Sequence, residues 1–429
     1  MLDVFKVEKL KINTFYDFNI LLGLLIVKNM YSERVTAMKF PSLYAIAELA
    51  KGYRDVIFLN VGSPDIRTPE HIINATKRAL DEGYTRYTNL EGIRELRDAI
   101  ARKYNEKYGL DLNHKNVLIT VGVTQGIFAS IMSYLRPGEK VLVPDPWYPG
   151  YLRSTILAGG EVVTVRQIEE KNYNLDLDEL NEKIDNKTKI LILINPNNPT
   201  GAVYDYKTLK GIAEIVSDNK IILVSDEIYE EFTYVGKFHS VLEFPEILDK
   251  VVLINGFSKA YAMTGFRIGY AISTEESIKQ LAKVTLATGL CPVSISQYAA
   301  LAAIEGPREP IREIIKIFDR RRREIVAGLS KIRGINFVIP KGAFYIFPNI
   351  SFYGIESIDL VKYLVKEARV VAAPGYPFFG PSGKGHIRIA YTVDIEQIKE
   401  ACRRIKEALE KLIECENQSK NSKYKTESN

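Results

Sequence analysis

Several reactive side chains of this sequence stand at the ends of short apolar runs. Lys259 follows the run at 250–257, while Asp226 and Tyr229 close the run that begins at Lys220. Apolar runs without polar alternation are typical of strands buried on both faces of a parallel sheet, and ligands gather at the carboxyl ends of such strands. An amine there can attack a carbonyl carbon, and a carboxylate or phenol can hold or move a proton.

Two further turns bring polar groups to the same predicted edge. The turn NPNNPTG at 195–201 contains the amide of Asn198, and the turn at 122–125 lies between a strand-like run and a helical pattern. Backbone N–H groups of Val123 and Thr124 would lie at the N-terminus of that helix, where phosphate groups bind. Because strand-to-helix turns with glycine and threonine are common without a phosphate, this turn supports a site only together with the others.

The elements that would position these groups alternate between helix and strand from about residue 70 to residue 300. Such alternation predicts an α/β fold with a mostly parallel sheet. The strand-like runs are 117–121, 140–146, 161–166, 189–196, 220–227, 250–257 and 268–273. We therefore expect a large domain over 70–305, built around a seven-stranded sheet.

The pattern changes after about residue 305, where a long helical stretch precedes short strand-like runs separated by helices. This pattern predicts a smaller α+β domain over 306–415, completed by residues 41–69. We expect residues 1–40 to form an N-terminal arm or extension. The polar stretch 416–429 has the composition of a disordered tail.

The first residues contain an apolar run, ILLGLLIV at 20–27, with lysines upstream. It resembles a signal peptide only faintly, because no small-residue cleavage site follows, and it is too short to span a bilayer as a helix. We favour an arm, or a start placed too far upstream, with Met30 or Met38 as alternative first residues. Export is the minor alternative.

Composition and charge narrow the classes of function. The 58 basic and 53 acidic residues leave a net charge of +5, which predicts no nucleic-acid partner. The dense basic run at 320–323 lies in a helical stretch, and we expect it to form a solvated helix face. The three cysteines and four histidines have no metal-binding spacing, which predicts no metal and favours a reducing cytoplasm.

Three of the segments together resemble the signature of class I aminotransferases, which use pyridoxal 5′-phosphate (PLP). The stretch GFSKAYAMTGFRIG at 256–269 is similar to the cofactor-lysine signature of that family, with Arg267 eight positions after Lys259. The segments at 195–201 and 225–229 (SDEIY) are similar to two other cofactor segments, in the usual order. The resemblance covers most of the chain and implies the aspartate-aminotransferase fold, usually a homodimer with its site at the subunit interface.

The resemblance implies a role for each residue at the cofactor ring. Lys259 would hold PLP as a Schiff base and, once freed by substrate, would move the α-proton. Asp226 would face the pyridine nitrogen and keep it protonated. Tyr229 and Asn198 would contact the O3′ oxygen, and Tyr148 aligns with the aromatic side chain that stacks on the ring.

The resemblance also implies how the phosphate is bound. Ser258 and Arg267 would join Val123 and Thr124 around it, with Arg267 balancing its charge. Tyr87 matches a tyrosine that typically reaches the phosphate of the partner subunit.

The substrate's α-carboxylate calls for a bidentate arginine, and Arg388 occupies the matching place, with Gly62 and Asn198 beside it. The implied activity is reversible amino transfer from an L-amino acid to a 2-oxo acid by a ping-pong mechanism, with aspartate and 2-oxoglutarate as the first choice. Thr124 stands where certain aspartate-specific relatives have a lysine, so aromatic amino acids or alanine remain alternatives. A PLP-dependent β-lyase is another alternative, whereas a DNA-binding regulator would need a longer module before residue 40.

Overall fold

The computed structural model describes residues 30–38 and 43–426. The strands are β1 (Ile57–Phe58), β2 (Val117–Thr120), β3 (Lys140–Asp145), β4 (Glu161–Ile168), β5 (Asn174–Leu175), β6 (Thr188–Ile194), β7 (Ile222–Asp226), β8 (Val251–Gly256), β9 (Gly269–Ile272), β10 (Tyr345–Ile346), β11 (Val370–Val371), β12 (Ala373–Pro374) and β13 (Ile387–Ala390).

The α-helices alternate with these strands and continue beyond them. They are α1 (Glu33–Ala37), α2 (Leu43–Ala50), α3 (Glu70–Asp81), α4 (Arg94–Tyr108), α5 (Gly122–Tyr134), α6 (Pro149–Leu157), α7 (Leu177–Lys183), α8 (Tyr206–Asp218), α9 (Glu275–Gly289), α10 (Ser294–Glu305), α11 (Glu309–Leu329), α12 (Ser357–Ala368) and α13 (Ile395–Thr426). None of the helices in the described ranges is long and apolar enough to cross a membrane.

The main sheet has the strand order β2-β9-β8-β7-β6-β3-β4-β5. Neighbouring strands from β8 to β4 run parallel, while β9 is antiparallel to both β2 and β8. The predicted α/β fold with a mostly parallel sheet is confirmed, but the sheet has eight strands rather than seven. The additional strand, β5, pairs two residues with the end of β4 and is too short to produce a sequence pattern.

Local sequence explains where several helices begin and end. Asp205 accepts a hydrogen bond from the N–H of Thr208 at the start of α8, and Thr274 accepts one from Ser277 at the start of α9. Such side-chain caps satisfy N–H groups that the first helical turn leaves free. At the end of α4, Gly109 adopts φ +69°, the left-handed conformation that favours glycine.

Two smaller sheets lie outside the main one. In the first, β1 pairs with β11 in parallel, and in the second β13 pairs with β10 and β12 in antiparallel fashion. The described residues from 43 onward form one compact unit. The division into a large domain over 70–305 and a small domain from 41–69 and 306–415 stays a prediction.

The predictions for the two ends of the chain can be compared with the structure only at the C-terminal end. The apolar run at 20–27 lies outside the described residues. At the other end, the helix that begins at Ile395 continues to Thr426, so residues 416–426 are helical and not irregular as the composition indicated. This stretch contains no glycine or proline to end the helix.

The basic run 320–323 is only partly a solvated helix face. Arg320 and Arg323 are exposed, but Arg321 and Arg322 are buried in α11. Arg321 donates two hydrogen bonds, of 2.6 and 2.8 Å, to the carboxylate of Asp65. The expectation of a fully solvated face was therefore wrong, because the charge count along a helix does not reveal a carboxylate that lies far away in sequence.

The core of the main sheet offers a stability test. Leu191 in β6 has no exposed surface, so Leu191→Ala should lower the free energy of unfolding by about 2–5 kcal/mol through lost burial and a residual cavity. Leu80→Ala, at a leucine that is 48% exposed in α3, should change it by about 0.5 kcal/mol or less. Urea unfolding followed by circular dichroism measures both, and equal effects would contradict the assignment of β6 to the core.

Candidate active site

Register in the main sheet brings the reactive groups to one edge. Ile194 of β6 lies beside Asp226 of β7, which in turn lies beside Ile254 of β8. The turn with Asn198 follows the first of these strands, and Lys259 follows the last. The carboxyl ends of three adjacent strands thus deliver an amide, a carboxylate and an amine to one cavity of about 620 Å³.

The cavity collects nearly all of the residues that the sequence singled out. Tyr87 is the exception, because it is 84% exposed and does not line the cavity. The cavity is lined by Gly62, Val123, Thr124, Tyr148, Asn198, Asp226, Tyr229, Ser258, Lys259, Arg267 and Arg388.

Lys259 lies partly buried at the centre of this group. Its Nζ donates a 2.7 Å hydrogen bond to the carbonyl oxygen of Gly62. Burial lowers the pKa of Lys259 to about 8, with a further lowering from the positive charge of Arg388 and an opposing effect of Asp226. A substantial fraction of this amine is therefore neutral near pH 8, the form that attacks a carbonyl carbon.

Asp226 is buried, although it lines the cavity. Its Oδ2 accepts a 2.9 Å hydrogen bond from the Tyr151 hydroxyl, and its Oδ1 accepts one of 3.2 Å from the N–H of Ile228. Burial raises the pKa of Asp226 to about 6, although these hydrogen bonds and the charge of Lys259 oppose the shift. Because the carboxyl is buried without a tight ion pair, a cationic ligand atom beside it would be stabilised strongly.

Arg388 is buried in the cavity wall with no carboxylate among its described partners. Its guanidinium donates hydrogen bonds to Asn198 Oδ1 at 3.0 Å and to the carbonyl oxygen of Asn60 at 2.6 Å. The rings of Tyr345 and Phe379 lie 4.6 and 4.7 Å from Cζ. Burial lowers the pKa of Arg388, and Nε has no hydrogen-bond partner within the part of the chain described here.

A buried guanidinium without an acidic partner is costly, so Arg388 is suited to an anion that enters with a ligand. Gly62 supports this reading, because a Cβ atom there would collide with the hydroxyl of Tyr345. Only glycine allows the backbone this close to the ring that packs on Arg388.

The opposite end of the cavity is built from tightly packed backbone. Gly122 begins α5 with φ +69°, and a Cβ atom on it would lie 2.7 Å from a guanidinium nitrogen of Arg267. A Cβ atom on Gly269 would lie 2.8 Å from the backbone nitrogen of Val123. The N-terminal turn of α5, with Thr124, is therefore held against β9 beside Arg267 and can offer N–H groups to a phosphate.

Aromatic side chains complete the walls. Tyr148 lines the cavity and meets Tyr151 edge-on, with ring centroids 5.4 Å apart. Its neighbour Trp147, equally aromatic in sequence, is buried and does not line the cavity. The hydroxyl groups of Tyr229 and Tyr345 share a hydrogen bond of 2.8 Å.

Sequence reasoning missed several groups of this site. Tyr345 and Phe379 flank Arg388, Asn60 contacts it through its backbone, and Arg153 lines the cavity from α6. Tyr345 and Phe379 look like ordinary core residues in sequence, and a backbone contact leaves no sequence signal. Arg153 could have been noticed because it lies one helical turn after Pro149, the residue that follows the predicted ring-stacking Tyr148.

The residues present fit PLP. A pair of glycines brings helix N–H groups and Arg267 together for a phosphate, a buried carboxylate faces the cavity, and an amine of lowered pKa lies between them. Among the described residues, no group of three or more histidine, cysteine, aspartate or glutamate side chains is placed so that it could hold a metal ion. Fold and site together define a PLP-dependent enzyme of the aspartate-aminotransferase fold.

Comparison with known proteins agrees with this class. The family model described as aminotransferase class I and II matches residues 54–405. A probable aspartate aminotransferase of Methanocaldococcus jannaschii is 40% identical, over 89% of this chain and 100% of that protein, and an aromatic-amino-acid aminotransferase of Thermococcus litoralis is 38% identical, over 88% and 98%. The crystal structure of aspartate aminotransferase from Thermotoga maritima superposes with a TM-score of 0.84 at 34% identity, covering 89% of this chain and 100% of that one. The chain belongs to the class I and II aminotransferase family and is a PLP-dependent aminotransferase.

The raised pKa of Asp226 predicts a pH-dependent stability for the cofactor-free protein. Since the folded carboxyl titrates near 6 instead of its usual 3.8, the folded state holds the proton more tightly and loses stability as the pH rises from about 4 to about 6. Asp226→Asn removes that loss and should make the cofactor-free protein more stable than wild type at pH 7 by up to about 3 kcal/mol.

Urea unfolding of both proteins at pH 4 and pH 7 measures this difference. Asp218→Asn, at an exposed residue of α8, is the matched control and should give no pH-dependent difference. If the free energies of unfolding of Asp226→Asn and wild type differed by the same amount at both pH values, the raised pKa of the buried Asp226 carboxyl would be contradicted.

Proposed function

We propose that this protein transfers the amino group of L-aspartate to 2-oxoglutarate by a ping-pong mechanism. The observation that carries the proposal is Arg388, a buried guanidinium with no carboxylate partner among the described residues, which lines the same cavity as Lys259 and Asp226. An arginine fork matches a carboxylate bidentately, and every amino acid and 2-oxo acid has one. Several relatives that are 35–40% identical to this chain are named as aspartate aminotransferases, which supports aspartate as the donor.

The residues of the cavity have distinct parts in this proposal. When bound, PLP supplies an electron-accepting ring that stabilises negative charge at the substrate's α carbon. Lys259 anchors the cofactor and moves the proton at that carbon as general base and then acid. Asp226 keeps the ring nitrogen protonated, Tyr148 covers the ring face, and Tyr229 hydrogen-bonds the ring oxygen.

The remaining residues hold the two anionic ends. Val123, Thr124, Ser258 and Arg267 bind the phosphate. The guanidinium of Arg388 donates two hydrogen bonds to the α-carboxylate, and Gly62 and Asn198 complete the group of residues around it. Asn198 also reaches the ring oxygen in this arrangement, since its Oδ1 already accepts from Arg388 and its amide NH₂ can donate.

Aromatic amino acids are the second candidate donor. The rings of Tyr148, Tyr345 and Phe379 all line the cavity, and such surfaces attract an aromatic side chain. The relative from Thermococcus litoralis is named for aromatic amino acids. Thr124 supplies no positive charge for a distal carboxylate, which favours this candidate as well.

We further propose a homodimer located in the cytoplasm. Tyr87 is 84% exposed and points to no group of its own cavity, so it is free to reach the phosphate site of a second copy. The absence of any metal or disulfide spacing among its cysteines suits a reducing compartment.

A panel of amino donors tests the proposal directly. With 2-oxoglutarate as acceptor, aspartate should give a higher kcat/KM than phenylalanine, tyrosine or alanine. Higher values for phenylalanine or tyrosine would establish the second candidate, and ammonia and pyruvate formed without an acceptor would indicate a β-lyase. The control Lys259→Ala should lose more than about a thousandfold in turnover, because it lacks both anchor and base.

The role of Arg388 predicts an effect that does not depend on the donor's side chain. Arg388→Gln should lower kcat/KM at least about thirtyfold for every donor of the panel, because all of them present the same α-carboxylate. Arg388→Lys should recover only part of this, since a lysine lacks the fork. A loss confined to some donors would place the α-carboxylate elsewhere.

A further inference from the structure

One charged side chain of the cavity has no part in the scheme above. Arg153 lies in α6, one turn after Pro149 at the helix start, and lines the cavity together with Tyr148 and Arg388. Helical side chains point back toward the helix N-terminus. Arg153 does so, because its Nε donates a 3.3 Å hydrogen bond to the carbonyl oxygen of Pro149.

This hydrogen bond fixes the stem of Arg153 and leaves its two terminal nitrogens available. No carboxylate of the described residues lies within 4.0 Å of the guanidinium, although arginines elsewhere on helix surfaces, such as Arg403, are paired with acids. Arg153 is exposed and also lines the cavity, so it lies at the mouth of the cavity rather than in its floor.

The charged groups that line the cavity show which of them still lacks an assigned ligand. The cavity contains the positive groups Lys259, Arg267, Arg388 and Arg153, and Asp226 as its carboxylate. In the proposed function the cofactor phosphate pairs with Arg267, the ring nitrogen with Asp226, and the α-carboxylate with Arg388. Lys259 is assigned to anchoring the cofactor and to moving the α-proton. Arg153 is the remaining cation of the cavity, and neither the phosphate nor the α-carboxylate is assigned to it.

We propose that Arg153 binds the distal carboxylate of a dicarboxylic substrate. Each subunit therefore recognises the distal carboxylate of both substrates, the amino donor and the 2-oxo acid, with a residue of its own. The inference rests on the proposed function and names the residue that gives it specificity. It also accounts for Thr124, because a cation from α6 makes a cation at the start of α5 unnecessary. Both aspartate and 2-oxoglutarate carry the second carboxylate, so one arginine serves both half-reactions.

Binding of inhibitors to the holoenzyme tests this without turnover. Maleate carries two carboxylates and 3-phenylpropionate carries one. Arg153→Ala should weaken maleate binding about tenfold, the effect of one charge-assisted contact at a partly open site, and should leave 3-phenylpropionate unchanged within about twofold. Arg153→Lys should keep most of the maleate affinity, and Arg136→Ala, at an exposed arginine after α5, should behave as wild type.

Steady-state kinetics provides the second arm. In Arg153→Ala, KM for aspartate and for 2-oxoglutarate should rise about tenfold, while kcat/KM for phenylalanine, in its half-reaction with the enzyme, should stay unchanged or increase. Equal losses for maleate and 3-phenylpropionate, or no loss for either, would overturn the role of Arg153. If wild type fails to use aspartate, the proposed donor is wrong, but the maleate comparison still decides whether Arg153 reads a second carboxylate.

Discussion

The parallel register of β6, β7 and β8 is the constraint on which the site depends. Since Ile194, Asp226 and Ile254 lie side by side, the three chain segments that follow them leave the sheet at one level. A slip of one residue would turn each strand's side chains to the opposite face. It would move the Asp226 carboxylate away from the cavity and change the path of the turn that carries Lys259.

Burial then tunes the groups that this register gathers. It raises the pKa of Asp226 to about 6 and lowers that of Lys259 to about 8, so both shifts favour the neutral form. Arg388 stays charged and unpaired by any acid among the described residues. In the cofactor-free protein a cavity of this kind carries an unfavourable excess of positive charge, which anionic ligands relieve. Ligand binding should therefore also stabilise the fold.

The sequence predicted the part of this arrangement that is local. Apolar runs located the seven long strands, and their ends located Lys259, Asp226 and Asn198. It could not predict partners that come from distant segments. Tyr345 meets Tyr229 across more than a hundred residues, and Asp65 meets Arg321 across more than two hundred. The sequence placed the basic run 320–323 in a helix. It did not predict that Arg321 is buried, because burial depends on tertiary packing and not on helical periodicity.

The Arg321–Asp65 pair connects helix α11 to a loop that contacts the cavity. Asp65 lies in the loop between β1 and α3, in which Gly62 accepts a hydrogen bond from Lys259 and the Asn60 carbonyl accepts one from Arg388. Two hydrogen bonds from a buried arginine to one carboxylate fix that loop in position. An arginine outside the cavity thus holds the loop whose backbone contacts Lys259 and Arg388. Helix α11 contributes no residue to the cavity wall, yet through Arg321 it helps to hold the loop that contacts Lys259 and Arg388.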